Sequence, residues 1–184
     1  MFLWNIIVKF FVIFLPSKCR MKVKYYLLGL FSRLYVKRKA KSVGNSLTCT
    51  SSKVVVNKNT IIGDHVNFNG LEINGNGEVK IGSYFHSGKD CLILTTSHNY
   101  EGSAIPYDCT FITKPVEISD FVWLGERVTI LPGTKIGEGA IIQAGAVVHG
   151  EIPPCAIAGG NPAVVFKYRD KEHFYKLKEQ GKFN

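Results

Sequence analysis

From Ile118 onward an aliphatic residue recurs at every sixth position without a gap, through ISDFVW, LGERVT, ILPGTK, IGEGAI, IQAGAV and VHGEIP. The first place holds Ile118, Leu124, Ile130, Ile136, Ile142 and Val148, and the fifth holds Val122, Val128, Thr134, Ala140, Ala146 and Ile152. Upstream, Ile81, Ser87 and Ile93 head three more hexads, with Phe85, Cys91 and Ser97 in the fifth place. Val56, Ile62 and Phe68 head an earlier set, offset from these by one residue. A period of six fits neither the 3.6-residue repeat of a helix nor the two-residue repeat of a hairpin strand. It fits a three-sided coil in which each hexad supplies one short strand and one corner, and three hexads close a turn. Residues from about 54 to 160 are therefore expected to form an all-β parallel solenoid, with first and fifth side chains inward. Gly63, Gly82, Gly125, Gly137 and Gly145 are expected to supply the unusual backbone angles of the corners.

A solenoid has two open ends. Pro153-Pro154 cannot continue a ladder and is expected to stop the last coil. Asp170 to Gln180 then reads as a short helix, with Asp170 as N-cap, Phe174 and Leu177 on one face and Gly181 as the stop.

Charge separates the other end. The chain has 184 residues and a net charge of +9, yet residues 1–41 contain ten Lys/Arg and no acid, leaving 13 basic against 14 acidic residues beyond. Basicity is thus a property of one terminal segment. Its apolar run, Phe2 to Leu15, is shorter than the roughly 20 residues of a membrane-spanning helix. The charge follows that run and no small-residue cleavage site appears, so an export signal is not expected. From Lys18 to Lys41, Lys and Arg interleave with Tyr25, Leu27, Leu28, Leu30, Phe31, Leu34 and Tyr35. That mixture reads as a helical segment lying on an anionic membrane surface, at the cytoplasmic inner face. The alternative is a cap over the open end of the solenoid. No nucleic-acid-binding module is recognisable. The expected organisation is a basic apolar segment over 1–41, a catalytic solenoid over 42–168, and a helix and tail over 169–184. Five scattered cysteines without C-x-x-C point to free thiols in a reducing compartment and to no metal site.

The hexads pause between Thr96 and Lys114, and a loop that interrupts a regular solenoid is a natural place for function. It carries Ser97-His98-Asn99-Tyr100-Glu101 and Pro106-Tyr107-Asp108. His98 sits where the chain leaves the coil, and imidazole is the side chain best poised to take a proton from a hydroxyl near neutral pH. Either Glu101 or a carbonyl is open as the group that orients it.

The hexads, a loop with one histidine, Val122-Trp123-Leu124-Gly125, and Gly159-Gly160-Asn161-Pro162-Ala163 together resemble the hexapeptide-repeat O-acetyltransferases. These include galactoside, maltose and xenobiotic acetyltransferases and the sugar acetyltransferases of polysaccharide synthesis. The resemblance covers about residues 54 to 170 and implies a left-handed parallel β-helix, a homotrimer, and acetyl-CoA in a groove between neighbouring subunits. It implies His98 as catalytic base and Asn67 and Trp123 as acceptor-side residues. It places Gly125, Glu126, Ala144 and Gly145 along the pantetheine arm and Lys167 near the CoA phosphates. The sequence departs from the pattern at His149-Gly150, where a Thr-Lys pair is common, and at Asn74-Gly75-Asn76, where some members have an acidic residue.

On this reading His98 deprotonates an acceptor hydroxyl as it attacks the thioester and returns the proton to the CoA sulfur. A backbone amide at Gly125 or Glu126 receives the oxyanion. The expected acceptor is a sugar of an envelope polysaccharide or lipopolysaccharide. The runner-up acceptor is a small soluble molecule, an antibiotic or a free sugar. From other classes, a non-catalytic trimeric scaffold and a three-histidine carbonic anhydrase are weighed. His65 and His86 read as solvated surface, and no second histidine accompanies His98 in its loop, which speaks against the metal site.

Overall fold

The structure, a computed structural model, describes residues 17–50 and 53–183, with side chains from residue 21 onward in its first helix. The Phe2–Leu15 run lies outside the described residues. Six strands stack in parallel on the first face: Ser42–Val43, Thr60–Ile62, Val79–Ile81, Val116–Ile118, Lys135–Ile136 and Glu151–Ile152. The second face stacks Thr48–Cys49, Asn67–Phe68, His86–Ser87, Trp123–Leu124, Ile141–Ile142 and Ala156–Gly160. The third stacks Val54–Val55, Leu71–Asn74, Cys91–Leu94, Thr129–Ile130 and Val147–Val148. Each hexad is one strand and one corner, so the chain visits the three faces in turn. A strand of two or three residues has no partner within its own hexad. Its hydrogen bonds must go to the coil above and the coil below, as from Gly82 N–H to the Ile118 carbonyl at 2.8 Å.

Inside, like stacks on like. On the first face Ile62, Ile81, Ile118, Ile136 and Ile152 align, and all are buried. On the second, Phe68, Ser87, Leu124, Ile142 and Ala158 align. Ser87 is the polar exception, and its hydroxyl accepts the Asn69 N–H at 3.3 Å. Such aligned aliphatics form one continuous column rather than a globular core.

Several expectations need correction. The stack begins at Ser42, two strands before residue 54, because Val43 pairs beside Ile62 and Cys49 beside Phe68. Ile152 is not a fifth-place residue: it stacks on Ile136, since the segment after Val148 is two residues short. Pro153-Pro154 does not end the coil but turns a corner, and Ala156–Gly160 continues the second face. Ser97 points outward, exposed, on an arm that has already left the coil.

The corners also work differently. Of the five glycines expected to provide unusual angles, only Gly145 has positive φ, at 74°. Gly82 and Gly125 are required by contact: a β-carbon would lie 2.5 Å from the Ser119 carbonyl carbon or the Ala144 nitrogen of the next coil. The left-handed positions of one corner are instead held by Ser46, His65, Tyr84, Phe121, Gly139 and Cys155. His65, Tyr84 and Phe121 stack as a ladder, with ring centroids 4.8 and 4.9 Å apart. Ring stacking along the axis offsets the local cost of a left-handed non-glycine residue.

Helix α1, Ser17–Lys39, crosses the first coil and touches strands of all three faces. Val36 enters the core column completely, Leu28 and Ser32 are buried, and a side chain at Gly29 would run into the Cys49 carbonyl. The cap over the solenoid end, the alternative in the sequence reading, is therefore present. Lys37, Arg38 and Lys39 end the helix where its dipole favours cations. Among the described residues no helix is long and apolar enough to cross a membrane.

At the other end Ala163–Tyr168 folds back antiparallel on Ala156–Gly160 through the Asn161-Pro162 turn. Helix α2, Lys171–Glu179, is capped by Asp170, whose carboxylate accepts the His173 N–H at 3.0 Å, as the sequence indicates. It lies along the side of the solenoid, with Phe174 against the Phe121 ring and Phe183 packed on Tyr84 and Phe121.

Candidate active site

Trp123 is held by two ladder neighbours. It pairs beside His86 in the coil below and Ile141 in the coil above, and His86 pairs in turn beside Asn67. Inward residues of these strands are buried, so alternation forces Asn67, His86 and Trp123 outward in one row up the second face. Its position in the hexad suggests solvated surface for His86. It is half-buried between the two acceptor-side candidates. The signal was available in the spacing: 19 residues separate Asn67 from His86, as they separate Ile62 from Ile81. Asn67 Oδ1 is buried and has no partner among the described residues, so an acceptor atom is left over in that row.

His98 is elsewhere. The third-face strand Cys91–Leu94 ends, and the chain then leaves as an antiparallel hairpin, Thr96–His98 against Phe111–Thr113, before rejoining the first face at Val116. The segment expected as a loop is thus an ordered arm. Its root is fixed by buried Thr95, whose hydroxyl accepts the Gly77 N–H and donates to the Asn74 carbonyl, each at 3.0 Å. Its tip is organised by Asp108, which accepts the Ser103 N–H at 3.0 Å and the Thr110 N–H at 2.8 Å. The Thr110 hydroxyl bond, followed by these backbone bonds, holds the Asp108 carboxyl below its ordinary range. That order places Tyr107 on the imidazole of His98, with ring centroids 3.9 Å apart and planes 18° apart. The ring of Phe111, the cross-strand partner of His98, lies 4.9 Å away and is tilted by 37°. Among the described residues rings hold the imidazole, in place of the Glu101 or carbonyl expected to orient it. Phe111, Tyr107 and Ile105 leave much of the arm apolar and exposed.

The proposed pantetheine residues share the corner between the second and third faces. Gly125 N–H donates to the Ile142 carbonyl and Gly145 N–H to the Glu126 carbonyl, each at 2.8 Å. The Gly125 amide is therefore committed to the ladder, which leaves Glu126 as the candidate of that pair for an oxyanion. Glu126, Ala144 and Gly145 are exposed there. Lys167 is exposed on the folded-back strand and pairs beside Ile157, which itself lies one coil above the Trp123 row's Ile141. The structure thus brings Asn67, His86, Trp123 and Lys167 onto one face and Gly125, Glu126, Ala144 and Gly145 onto its edge. His98 departs from the opposite edge of the third face. Among the described residues no group of three His, Cys, Asp or Glu is placed to hold a metal ion.

Cys49, Cys91 and Cys155 are buried free thiols, and Cys109 is exposed on the arm. Burial pushes the Cys49 thiol up to about 12, so it is inert at neutral pH.

A sequence model of the bacterial transferase hexapeptide (six repeats) matches residues 115–150. An Escherichia coli K12 protein provisionally named a lipopolysaccharide biosynthesis O-acetyltransferase is 38% identical over 99 residues, covering 46% of this chain and 50% of its own. A Schizosaccharomyces pombe protein provisionally named an acetyltransferase is 40% identical over 85 residues, covering 46% and 41%. The chain spans about half the length of the curated relatives it matches. Among solved structures, a Vibrio cholerae hexapeptide-repeat acetyltransferase complexed with acetyl coenzyme A superposes with a TM-score of 0.61. It shares 23% identity, with 90% of this chain and 85% of that one covered. A galactoside acetyltransferase in complex with coenzyme A gives 0.60 at 23% identity, covering 93% and 82%. The period of six, the three-sided parallel stack and these matches agree on the fold: the chain is a parallel β-solenoid of hexapeptide repeats, and residues 115–150 carry the repeat of the bacterial hexapeptide transferases.

Proposed function

We propose that the protein is an acetyl-CoA-dependent O-acetyltransferase acting on a sugar hydroxyl in the synthesis of a cell-envelope polysaccharide or lipopolysaccharide. The observation that carries the reading is a division of labour: the only histidine on the arm and the Asn67–His86–Trp123 row occupy different sides of one chain. A site using both is completed when the arm of one copy lies along the second face of the next. That contact is heterologous, and a rotation that closes after three copies gives a homotrimer with three equal sites. The exposed Phe111, Tyr107 and Ile105 supply apolar surface for it.

In this site acetyl-CoA lies along the Gly125–Glu126 and Ala144–Gly145 corner, its phosphates toward Lys167, and the acceptor sugar rests against Trp123 and Asn67. His98 takes the proton of the acceptor hydroxyl while that oxygen bonds to the thioester carbonyl carbon. The carbon–sulfur bond breaks as the carbonyl re-forms, and the imidazolium returns its proton to the CoA sulfur. Charge on the carbonyl oxygen is met by the Glu126 amide. No nucleophilic side chain is needed, because both substrates meet in one groove.

The N-terminal segment suits peripheral attachment to the inner face of an anionic membrane. The cap buries one side of α1, while Met21, Tyr25, Tyr26 and Leu34 remain exposed beside Lys22, Lys37 and Arg38. Aromatic and aliphatic groups at a headgroup boundary, ringed by cations without an acid, match such a surface.

The decisive experiment mixes subunits. His98→Ala and Trp123→Ala proteins are each expected to release thiol from acetyl-CoA poorly in the presence of sugar acceptors. Unfolding and refolding them together is expected to restore part of the activity, since mixed trimers contain some intact sites. Absence of any restoration, with mixed trimers verified by mass, would sink the shared-site reading.

A further inference from the structure

Between the C-terminal segment and the second face lies a cavity of about 450 Å³. That is room for a sugar ring with one or two phosphoryl groups, at the small end of ligand pockets. Its walls are aromatic, with Trp123, Tyr84 and Phe121 on the solenoid and Phe174 and Phe183 on the tail. Its charged lining residues are Arg169, Lys178 and Lys182, and among the described residues no acidic side chain lines it. The body beyond residue 41 is almost neutral, so this is a local concentration and not part of a general field.

The three cations are not equivalent. Lys178 is paired with Glu138 and lies 5.6 Å from the Phe121 ring centre, so its charge is met. Arg169 and Lys182 have no carboxylate partner among the described residues. Arg169 lies 5.5 Å over the Phe174 ring, and its Nε is buried with no hydrogen-bond acceptor. A buried guanidinium donor without an acceptor is costly, and desolvation lowers its pKa from the usual value. A planar fork of donors, a second cation and stacked rings are the chemistry that receives a phosphoryl group attached to a ring.

We infer that this cavity binds the phosphate or diphosphate of the acceptor, so that the substrate is a sugar phosphate ester and not a neutral sugar. The inference rests on the acetyl-transfer reading for its link to catalysis, and on Arg169 and Lys182 for the site itself. Trp123 joins the two: it lines the cavity and stands in the outward row that faces the incoming arm. A phosphate held by Arg169 and Lys182 therefore places the attached sugar at Trp123.

The test uses the full-length protein with inorganic pyrophosphate as probe, followed by titration calorimetry in the presence of saturating CoA. Pyrophosphate is expected to bind alongside CoA. Affinity is expected to fall by about tenfold or more in Lys182→Gln and further with Arg169→Gln, the scale of a charge-assisted hydrogen bond. Arg169→Lys is expected to restore part of it, which separates loss of charge from loss of fold, and His98→Ala is expected to bind normally. Competition by a nucleotide diphosphate-sugar or by a short-chain polyprenyl diphosphate-sugar then tells which source supplies the phosphate. No pyrophosphate binding, binding unchanged in the two variants, or displacement by CoA would each overturn the inference, the last by giving the cavity to the donor. Retained pyrophosphate binding without thiol release from any acceptor would instead remove the acetyl-transfer reading and leave the site standing.

Discussion

Two faces of the solenoid have the same parallel ladder and the same buried column behind them, yet their outward rows have nothing in common. On the first face the row reads Ile61, Lys80, Glu117, Lys135, Glu151, and its charges alternate in register. Lys80 meets Glu78 at 3.4 Å and Glu117 at 3.9 Å, and Lys135 meets Glu151 at 3.8 Å. On the second face the row reads Asn67, His86, Trp123, Ile141, Ile157, without a carboxylate. Neutralised, half-solvated pairs are a surface at rest in water. Polar groups beside an indole, flanked by a cationic cavity, are a surface built to receive something. The backbone cannot tell the faces apart, so function here is written in positions that contribute nothing to the core.

If that contrast is right, perturbations should rank by row. The largest effect is expected at the arm that serves the second face: His98→Ala should lower turnover by about 10² to 10⁴, the usual value of a general base, with an unchanged melting temperature. A well-folded, fully active variant in an acetyl-transfer assay would break the comparison at its centre. Next comes the shared column: Leu124→Ala should cost about 2–5 kcal/mol of stability, because Leu124 is completely buried between Ser87 and Ile142. Urea unfolding of this variant would measure it, and a loss below 1 kcal/mol would mean the column is looser than its burial implies.

Asp108 gives a smaller, pH-dependent effect. Its carboxyl is held below the ordinary range by the Thr110 hydroxyl and then the Ser103 and Thr110 N–H groups. A depressed pKa means the ordering is complete above the ordinary carboxylate value and is lost as pH falls through the lowered one. Asp108→Asn is expected to reduce turnover at neutral pH and to remove the steepest part of the acid limb, while leaving the melting temperature near wild type. Identical pH profiles for the two proteins would count against a role for the arm's tip. Least of all, Lys135→Ala on the first face should change neither turnover nor melting temperature measurably, as exposed ion pairs contribute little. A clear loss of activity there would show that the first face is also engaged.

Much of this was legible along the chain. The hexads from Ile81 to Val148 place nearly every inward residue correctly, because the repeat is enforced locally: one misplaced aliphatic would put an apolar side chain in water and a polar one in the column. The short helix from Lys171 was equally readable, since Asp170 caps it through a bond three residues away. The first two strands, Ser42–Val43 and Thr48–Cys49, fall outside the readable hexads because their inward places hold only Val43 and Cys49. Their closure depends on Val36 arriving from helix α1.

The sequence by itself determined the period, the inward column, the neutral body with a basic terminus, and His98 and Trp123 as residues worth following. Local repetition fixes such things, because each hexad faces the same alternatives as the next. Only the tertiary structure decided that His86 joins Asn67 and Trp123, that α1 closes the first coil, and that His98 stands on an arm gripped by Tyr107 and Phe111. It alone brought Arg169 and Lys182 to the Trp123 row from the C-terminal tail. These are contacts between residues separated by a coil, an arm or a helix. Their existence depends on how many residues each coil spends before returning to the same face: 19 from Ile62 to Ile81, 18 from Ile118 to Ile136, 16 from Ile136 to Ile152. A change of one or two in that number leaves the local pattern almost intact and moves every outward neighbour.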